Sequence, residues 1–383
     1  MMHILSLFDG MACGMLALEA AGVQVDSYAA YEVEEAAKKT AKANFPMIEE
    51  LGDVFTADFT KHENVDFLLG GSPCTYWSVA QNINKRETEA SGLGWNLFQQ
   101  YIRALHEAKP RYFIYENNHS MSTTIRDSIS QAFGFEPIYI NSNRFTAQNR
   151  QRLYWIGKRT DSGAYARVEI TNIPSEGIKL KDILDDDLTA EERIVISDTE
   201  SLRLAIQRGK MCGYDTFGTP SFGVQRAKTG THCIGYTRRD TRAQGYRVYD
   251  VLGNSPCLRG QSHDRCCELW LIPLEAKPNT IIPYGYTKHG TALYAWNVKT
   301  GLKHRIYLVK DGKLQVNRRK YKVDVPDGSY IISKPLMSEL RKLQGIPTGY
   351  RFDDVGACRA YKLMGNGWTI PVITCLIQHC LSS

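Results

Sequence analysis

The chain has 383 residues, of which 43% are hydrophobic and 10% aromatic, enough for one large domain or two ordinary ones with a real core. Its formal net charge of +6 permits a polyanionic partner without identifying one. The 10 cysteines are scattered, with the spacing of neither a disulfide framework nor paired zinc ligands, which favours a reducing cytoplasm. No apolar run is long enough to predict a membrane span, and the start MMHILSLFDG lacks the pattern of a secretory signal.

Apolar runs alternate with helix-like segments through the first part of the chain. The predicted strands are residues 3–8, 25–32, 65–71, 111–116 and 152–157, and the predicted helices are residues 14–22, 34–45 and 97–108. This alternation is typical of a mostly parallel sheet with crossover helices. The predicted fold class is therefore α/β, with a Rossmann-like domain over residues 1–160.

The composition changes after residue 160, where short polar stretches and many glycines separate β-rich pieces such as residues 245–253, 291–298 and 304–309. These predict a second, smaller β-rich domain over residues 161–345. A helical period returns at residues 336–345, and the apolar stretch 365–381 predicts a C-terminal helix. Residues 346–383 are expected to return to the first domain.

Cys74 stands in the sequence LGGSPCTYWS, directly after the predicted strand 65–71. A free cysteine most often behaves as a small buried hydrophobe. Here two glycines close the strand and Pro73 fixes the backbone before the sulfur. Ligands gather at the carboxyl ends of strands in open α/β sheets, so we expect a chemical role for Cys74. Glu116 ends another predicted strand and should lie at the same edge.

Residues typical of a nucleotide-binding fold follow the first two predicted strands. Phe8, Asp9, Gly10 and Gly14 lie around the turn after the first strand, where glycine lets a ligand approach the backbone. Glu32 ends the second strand about twenty residues later, where a carboxylate commonly accepts hydrogen bonds from a ribose diol. The alternative for Glu32 is a solvated residue at a helix start.

Six segments, in order, resemble motifs I, IV, VI, VIII, IX and X of the cytosine-5 DNA methyltransferases: FDGMACG, GGSPCTYWS, ENN, QNRQR, LQGIPTGY and GNGWTIPVI. Residues 4–121 are similar to the mammalian de novo methyltransferases, whereas the long segment between QNRQR and LQGIP resembles a bacterial or phage target-recognition domain. Motif VI usually has valine where this chain has Asn118. The resemblance implies a methyltransferase domain that depends on S-adenosylmethionine, with a smaller β-rich target-recognition domain.

The resemblance also implies roles for particular residues. Cys74 would add as thiolate to carbon 6 of a flipped-out cytosine, and Glu116 would donate a proton to its ring nitrogen 3. Arg152 would bind the exocyclic oxygen and hold Glu116, while Arg150 would support a loop or a phosphate. Residues 75–95 would close as a lid. Contacts to S-adenosylmethionine would come from Phe8, Asp9, Gly10, Gly14, Glu32, Val33, Asp53, Val54, Pro73, Asn366 and Trp368.

A segment rich in arginine and tyrosine, residues 236–261, predicts a DNA-contacting surface, although a solvated basic face is the alternative. By comparison with bacterial recognition domains, Gln244 would fill the gap left by the flipped base and Arg247 would read a guanine. The predicted DNA contacts are Ser78, Gln244, Arg247 and Gln261. No metal site is predicted, because the adjacent cysteines of HDRCC, residues 263–267, give poor tetrahedral spacing.

The main prediction is an enzyme that transfers a methyl group from S-adenosylmethionine to carbon 5 of cytosine in a specific double-stranded DNA sequence, in a restriction-modification or phage-protective role. Two alternatives stay open: a tRNA cytosine-5 methyltransferase and a non-catalytic DNA-binding homologue. The long basic segment favours DNA over tRNA, and the presence of both Cys74 and Glu116 favours an enzyme. We expect a monomer in the cytoplasm of a prokaryotic or phage-infected cell, away from membranes, with a cognate restriction endonuclease as a candidate partner.

Overall fold

Two sheets organise the protein in the computed structural model. It describes residues 1–79, 83–185, 221–226, 230–236, 247–258, 269–273, 281–286, 293–297, 303–316, 319–353 and 355–383. The strands of the first sheet are β1 (Met2–Leu7), β2 (Val25–Tyr31), β3 (Glu49–Glu50), β4 (Phe67–Gly70), β5 (Tyr112–Asn118), β6 (Ile138–Asn141), β7 (Gln151–Arg159) and β8 (Tyr165–Arg167). Their spatial order is β3-β2-β1-β4-β5-β7-β6, with β8 paired to β7.

The first sheet is parallel from β3 to β5 and antiparallel from β5 onward. Its helices are α1 (Cys13–Ala20), α2 (Glu35–Asn44), α3 (Gly92–Ala108) and α4 (Thr123–Phe133). The predicted α/β class is confirmed, but the sheet predicted as mostly parallel is mixed, because β6, β7 and β8 pair antiparallel. Helix α4 and strand β6 were not predicted, although the sequence contains a start and a stop for α4: the Ser122 side chain caps the Ile125 amide at 3.3 Å, and Gly134 ends the helix at φ 84°.

Strand register decides where the functional side chains meet. Leu7 at the end of β1 lies opposite Gly70 at the end of β4, and Gly70 lies opposite Tyr115 in β5. The residues that follow these positions therefore emerge at one edge of the sheet. This edge includes Phe8 and Glu116, and the segment that leads to Cys74 starts there.

The second sheet is almost entirely antiparallel. Its described strands are β9 (Ser221–Arg226), β10 (His232–Tyr236), β11 (Arg247–Asp250), β12 (Leu269–Pro273), β13 (Ile281–Tyr286), β14 (Leu293–Asn297), β15 (Lys303–Lys310), β16 (Lys313–Val316), β17 (Arg319–Lys322) and β18 (Gly328–Ser333). The exception is β11, which pairs with β12 in parallel. This sheet confirms the predicted β-rich region.

The remaining described helices are α5 (Leu180–Ile183), α6 (Met337–Gln344), α7 (Ala357–Asn366) and α8 (Ile370–Ser382). The single helix predicted over residues 365–381 is wrong at its start, because the chain leaves helical geometry after Asn366 and enters α8 at Ile370. Gly367 and Pro371 explain the break, since glycine weakens a helix and proline favours its first turn.

Helix α8 lies against α1 and shares its apolar core. Buried Leu376 and Ile377 belong to the same cluster as Leu16 and Leu18, and the Thr374 hydroxyl is 3.4 Å from the Ala17 carbonyl oxygen. The C-terminal segment thus packs on the first sheet's helices. Strand β8 extends that sheet beyond residue 160, and the domain boundaries at residues 160 and 345 stay predictions. Within the described ranges, no helix has both the length and the apolar character to cross a membrane.

Candidate active site

Cys74 occupies a tight turn after β4. A single 3₁₀ turn, Cys74–Tyr76, follows Pro73, and the Cys74 carbonyl accepts hydrogen bonds from the amides of Trp77 at 3.2 Å and Ser78 at 2.9 Å. The thiol is half-buried. Burial raises its pKa above the ordinary cysteine value, and the nearby Arg152 charge opposes that rise. The free protein therefore holds a thiol that the arginine helps to deprotonate.

Glu116 is held between two side chains from distant parts of the sequence. Its Oε1 lies 2.7 Å from Nε of Arg152, and its Oε2 accepts a hydrogen bond from Nε1 of Trp368 at 3.0 Å. Both members of the ion pair are 11% exposed. A Cβ atom at Gly71 would lie 2.7 Å from the Glu116 carbonyl oxygen, so only glycine allows β4 and β5 to approach this closely.

The two predicted arginines have different partners. Arg152 contacts the Glu116 carboxylate, whereas the buried Arg150 donates to the carbonyl oxygens of Gly365 at 3.0 Å and Gly367 at 2.8 Å. Arg150 thus fastens the segment between α7 and α8 to the start of β7. No phosphate is needed to explain its position.

Cys257 is a residue of this site that sequence reasoning missed. Its Sγ lies 3.4 Å from Nη1 of Arg150 and 3.8 Å from Nη2 of Arg152. Burial raises its pKa, but the two guanidinium charges outweigh burial and bring the pKa below the ordinary value. No motif marks Cys257, because its partners are distant in sequence and meet it only in the fold.

These residues surround a cavity of about 550 Å³ at the edge of the first sheet. Its lining includes thirteen of the predicted residues, namely Phe8, Asp9, Gly10, Gly14, Glu32, Val33, Pro73, Cys74, Glu116, Arg150, Arg152, Asn366 and Trp368. Asp53 and Val54 are not in the lining. Asp53 is exposed and accepts a hydrogen bond from the Phe55 amide at 3.0 Å, while Val54 is buried. Their predicted cofactor contacts stay predictions.

Asp9 gives the cavity a buried carboxylate. Its Oδ1 accepts hydrogen bonds from the hydroxyls of Ser6 and Tyr28, both at 2.6 Å, whereas its buried Oδ2 has no partner among the described residues. Burial, and secondarily the charge of Glu32, raises the pKa of Asp9 to about 6. An unpartnered buried oxygen at a cavity wall is suited to a ligand that carries a donor or a positive charge.

Glu32 binds the backbone of the turns around it. Its Oε2 accepts from the Gly10 amide at 2.8 Å, and its Oε1 accepts from the amides of Val33 at 2.8 Å and Glu34 at 2.7 Å. A carboxylate has about four acceptor positions, so Oε2 keeps capacity for a hydroxyl donor. Lys362 of α7 also lines the cavity and pairs with Glu34 at 2.9 Å, a contact that the sequence did not predict.

The segment after Cys74 is fastened by Glu87. The Glu87 carboxylate accepts a hydrogen bond from Nε1 of Trp77 at 3.0 Å and one from the Gly94 amide at 3.2 Å. Gly92 has φ 83°, and a Cβ there would lie 2.5 Å from Glu87 Oε1. Gly92 and Gly94 lie in the predicted lid, residues 75–95, and their lack of a side chain permits this close packing.

Asn118, which replaces the valine usual in motif VI, is buried and hydrogen-bonded. Its Nδ2 lies 3.5 Å from the Cys74 carbonyl oxygen, and its Oδ1 accepts from the Ser120 hydroxyl at 2.7 Å. Ser120 Oγ in turn accepts from the Val79 amide at 3.3 Å. The end of β5 is therefore linked to both ends of the turn that carries Cys74.

Buried amides connect the segments that resemble motifs VIII, IX and X. Gln148 donates from Nε2 to the Leu343 carbonyl at 2.9 Å and accepts from the Leu258 amide at 3.1 Å. Gln344 accepts from the Thr369 hydroxyl at 2.9 Å. Both glutamines are fully buried, so they position the strands and helices around the cavity without lining it.

The predicted DNA contacts are only partly within the described residues. Ser78 is half-buried on the turn after Cys74, and Arg247 begins β11 opposite Tyr236. Gln244, Gln261 and residues 263–267 lie outside the described residues. In the part of the chain that the structure describes, no three histidine, cysteine or acidic side chains form a group that could hold a metal ion.

A sequence model of the C-5 cytosine-specific DNA methylases matches residues 2–382, nearly the whole chain. The chain belongs to this family. The match covers both sheets and the C-terminal helices, and it includes every residue that lines the cavity described above.

An orphan methyltransferase of Bacillus phage rho11s is 30% identical over 300 residues, which cover 68% of this chain and 58% of the phage protein. A type II methyltransferase of Neisseria gonorrhoeae is 32% identical over 174 residues, 42% of this chain and 49% of that protein. The chain thus matches about half the length of these relatives. A solved DNA modification methyltransferase of an Escherichia coli prophage has the same fold, with a TM-score of 0.55 and 17% identity across 100% of this chain and 99% of that one.

Proposed function

We propose that this chain transfers a methyl group from S-adenosylmethionine to carbon 5 of cytosine in a specific double-stranded DNA sequence, through a covalent adduct with Cys74. One observation supports this most directly: Cys74 lines the same cavity as the Glu116–Arg152 ion pair, whose atoms are 2.7 Å apart. A thiol beside a carboxylate held by arginine suits nucleophilic addition to a ring that must be protonated at the same time.

In the proposed reaction the Cys74 thiolate adds to carbon 6 of cytosine. The electron pair of the carbon 5–carbon 6 double bond then becomes available at carbon 5, while Glu116 donates a proton to ring nitrogen 3. Arg152 supports the addition, since its charge favours the thiolate, and its Nε orients the Glu116 carboxyl group that carries the proton to ring nitrogen 3. After carbon 5 is methylated, a base removes the carbon 5 proton, Cys74 leaves as thiolate, and the proton on ring nitrogen 3 returns to Glu116.

The cavity wall fits S-adenosylmethionine as the methyl donor. Asp9 offers an unpartnered buried oxygen to a cationic or donor group, and Glu32 keeps acceptor capacity for a ribose hydroxyl. Phe8 lies at the same wall with φ 57°, in the turn that opens the backbone toward the cavity. When bound, S-adenosylmethionine supplies an electrophilic methyl group.

The position of the reacting groups supports base flipping. Cys74 and Glu116 line a cavity and are not on a protruding edge, so a cytosine stacked in a duplex would have to leave the helix to reach them. The predicted roles of Ser78, Gln244, Arg247 and Gln261 in holding that DNA belong to this proposal, as do the monomeric state and a partner endonuclease.

Methyl incorporation into duplex DNA containing 5-fluorocytosine tests the proposal. The unmodified protein should incorporate tritiated methyl groups and become trapped as an adduct, because fluorine cannot leave as the carbon 5 proton does. Cys74→Ser should lose both signals and retain DNA binding, while Cys375→Ser on α8 is the matched control and should retain all three. Glu116→Gln should lower turnover by about 10² to 10⁴ and leave cofactor binding intact.

Two outcomes would contradict the proposal. An active Cys74→Ser variant would exclude the covalent route, and methylation of tRNA in place of duplex DNA would favour the second substrate class. Bisulfite sequencing of DNA from cells that express the chain would then identify the methylated base and its sequence context.

A further inference from the structure

A basic face lies on the second sheet, and none of its residues lines the cavity. Strands β15, β16 and β17 form consecutive antiparallel hairpins, with Lys310 opposite Lys313 and Lys313 opposite Lys322. Opposite residues of neighbouring strands point to the same face of a sheet, so these three lysines form one row. Lys320 lies on that face as well, two residues from Lys322.

The other face of the same hairpins is apolar. Leu314, Val316 and Val309 are buried, and Tyr321 packs against them. The alternation between buried apolar residues and exposed lysines fixes which side of the hairpins faces solvent. All four lysines of the basic face are exposed.

Like charges placed directly opposite each other destabilise a sheet, and Lys310, Lys313 and Lys322 place three such charges side by side. Within the described ranges, none of the four lysines forms an ion pair with a carboxylate. The Asp327 carboxylate accepts hydrogen bonds from the amides of Gly312 at 3.1 Å and Asp311 at 2.8 Å, which lower its pKa, and the Lys310 charge lowers it further. Asp327 therefore offsets part of the Lys310 charge alone. The basic face thus has a local energetic cost that a polyanion would offset.

We propose that the basic face binds the phosphate backbone of duplex DNA outside the target sequence. The inference rests on the proposed function for its choice of DNA as the polyanion. Lysine is a compact point charge without the planar fork that reads guanine, so these contacts position the duplex and do not select bases. The face increases affinity for all DNA sequences alike.

Salt-dependent binding to a random-sequence duplex tests this inference, with the full chain and fluorescence anisotropy as the readout. The test variant is Lys310→Gln/Lys313→Gln/Lys322→Gln. The matched control is Lys39→Gln/Lys61→Gln/Lys181→Gln, which removes the same charge from exposed positions on α2, on the turn at residues 59–61 and on α5. Each lost phosphate contact reduces the slope of log affinity against log salt by about 0.9.

We expect the slope of the test variant to decrease by roughly 2 to 3, with equal loss of affinity for every duplex sequence and an unchanged base preference around the methylated cytosine. The control should keep the slope of the unmodified protein. The melting temperature of the test variant should stay the same or rise, because three opposed charges are removed. If the triple variant does not fold, Lys313→Gln alone should decrease the slope by about one.

An unchanged slope, or an equal change in the control, would overturn the inference and leave the proposed methyl transfer intact. Loss of binding to tRNA with retained binding to duplex DNA would also overturn it. By contrast, a chain that binds DNA through this face but never methylates it would refute the proposed function alone.

Discussion

The carboxylate of Glu50 lies on β3, opposite Ala30 of β2, with both oxygens shielded from solvent and without a hydrogen-bond partner among the described residues. Burial, followed by the charges of Asp9 and Glu32, raises the pKa of Glu50 from 4.5 to about 7. We predict that Glu50→Gln stabilises the protein above neutral pH, because glutamine keeps the shape of the side chain and removes its charge.

The magnitude follows from the raised pKa. At 1.36 kcal/mol per unit, a rise from 4.5 to about 7 corresponds to about 3.4 kcal/mol. Although its two oxygens are shielded, the Glu50 side chain as a whole is only partly buried, so solvent screening reduces the expected gain to about 1 to 2 kcal/mol. A carboxyl with a raised folded-state pKa favours folding below its unfolded pKa, and this contribution is lost as pH rises through the folded value. The variant should therefore match the unmodified protein near pH 4.5 and exceed it above pH 7.

Urea unfolding at several pH values between these limits measures the effect. Glu49→Gln is the control, because Glu49 is the exposed neighbour on the same strand and its substitution removes the same charge. A gain that is constant with pH, or that appears equally in the control, would refute the reasoning. So would a loss of stability above pH 7, which would mean that Glu50 has a charged partner.

Three further substitutions test the candidate site. Arg152→Met leaves Glu116 buried without its ion-pair partner and should lower the free energy of unfolding by about 3 to 5 kcal/mol, measured by urea unfolding, and abolish adduct formation. Asn118→Val removes the link to the Cys74 carbonyl and should slow adduct formation about threefold to tenfold, measured by fluorocytosine trapping, with cofactor binding unchanged. Arg247→Ala should relax one base position by about 1 to 3 kcal/mol in methylation of a randomised DNA library; an unchanged profile would make it a backbone contact.

The position of the candidate site could be predicted because sheet topology determines it. Parallel strands place all their carboxyl ends at one edge, so an apolar run followed by a reactive side chain suffices to locate Cys74 and Glu116. The strands could be predicted from residues that are neighbours in the sequence. Helix α4 was missed although its caps are visible in the sequence, and the break at Gly367 was missed because the apolar period continues through it.

Contacts between distant segments could not be predicted in this way. Cys257 meets Arg150 and Arg152 only because the second sheet folds back on the first, more than a hundred residues away in sequence. In the sequence Glu87 is indistinguishable from an ordinary loop residue. Only the fold brings Trp77 and the start of α3 to its carboxylate. In each case the residue type is common, and only its contact partner in the fold gives the residue a part in the site.

Arg150 and Arg152 show that a sequence motif predicts which residue type stands at a position better than it predicts what that residue does. Arg150 and Arg152 are two positions apart, a spacing that places both side chains on one face of an extended segment. Arg152 finds a carboxylate, a partner that sequence can suggest because Glu116 is itself a marked residue. Arg150 instead donates to the carbonyl oxygens of Gly365 and Gly367, and a carbonyl oxygen is present at every residue. Since no side chain identifies such a partner, the fastening of the C-terminal segment to the site could be found only in the folded chain.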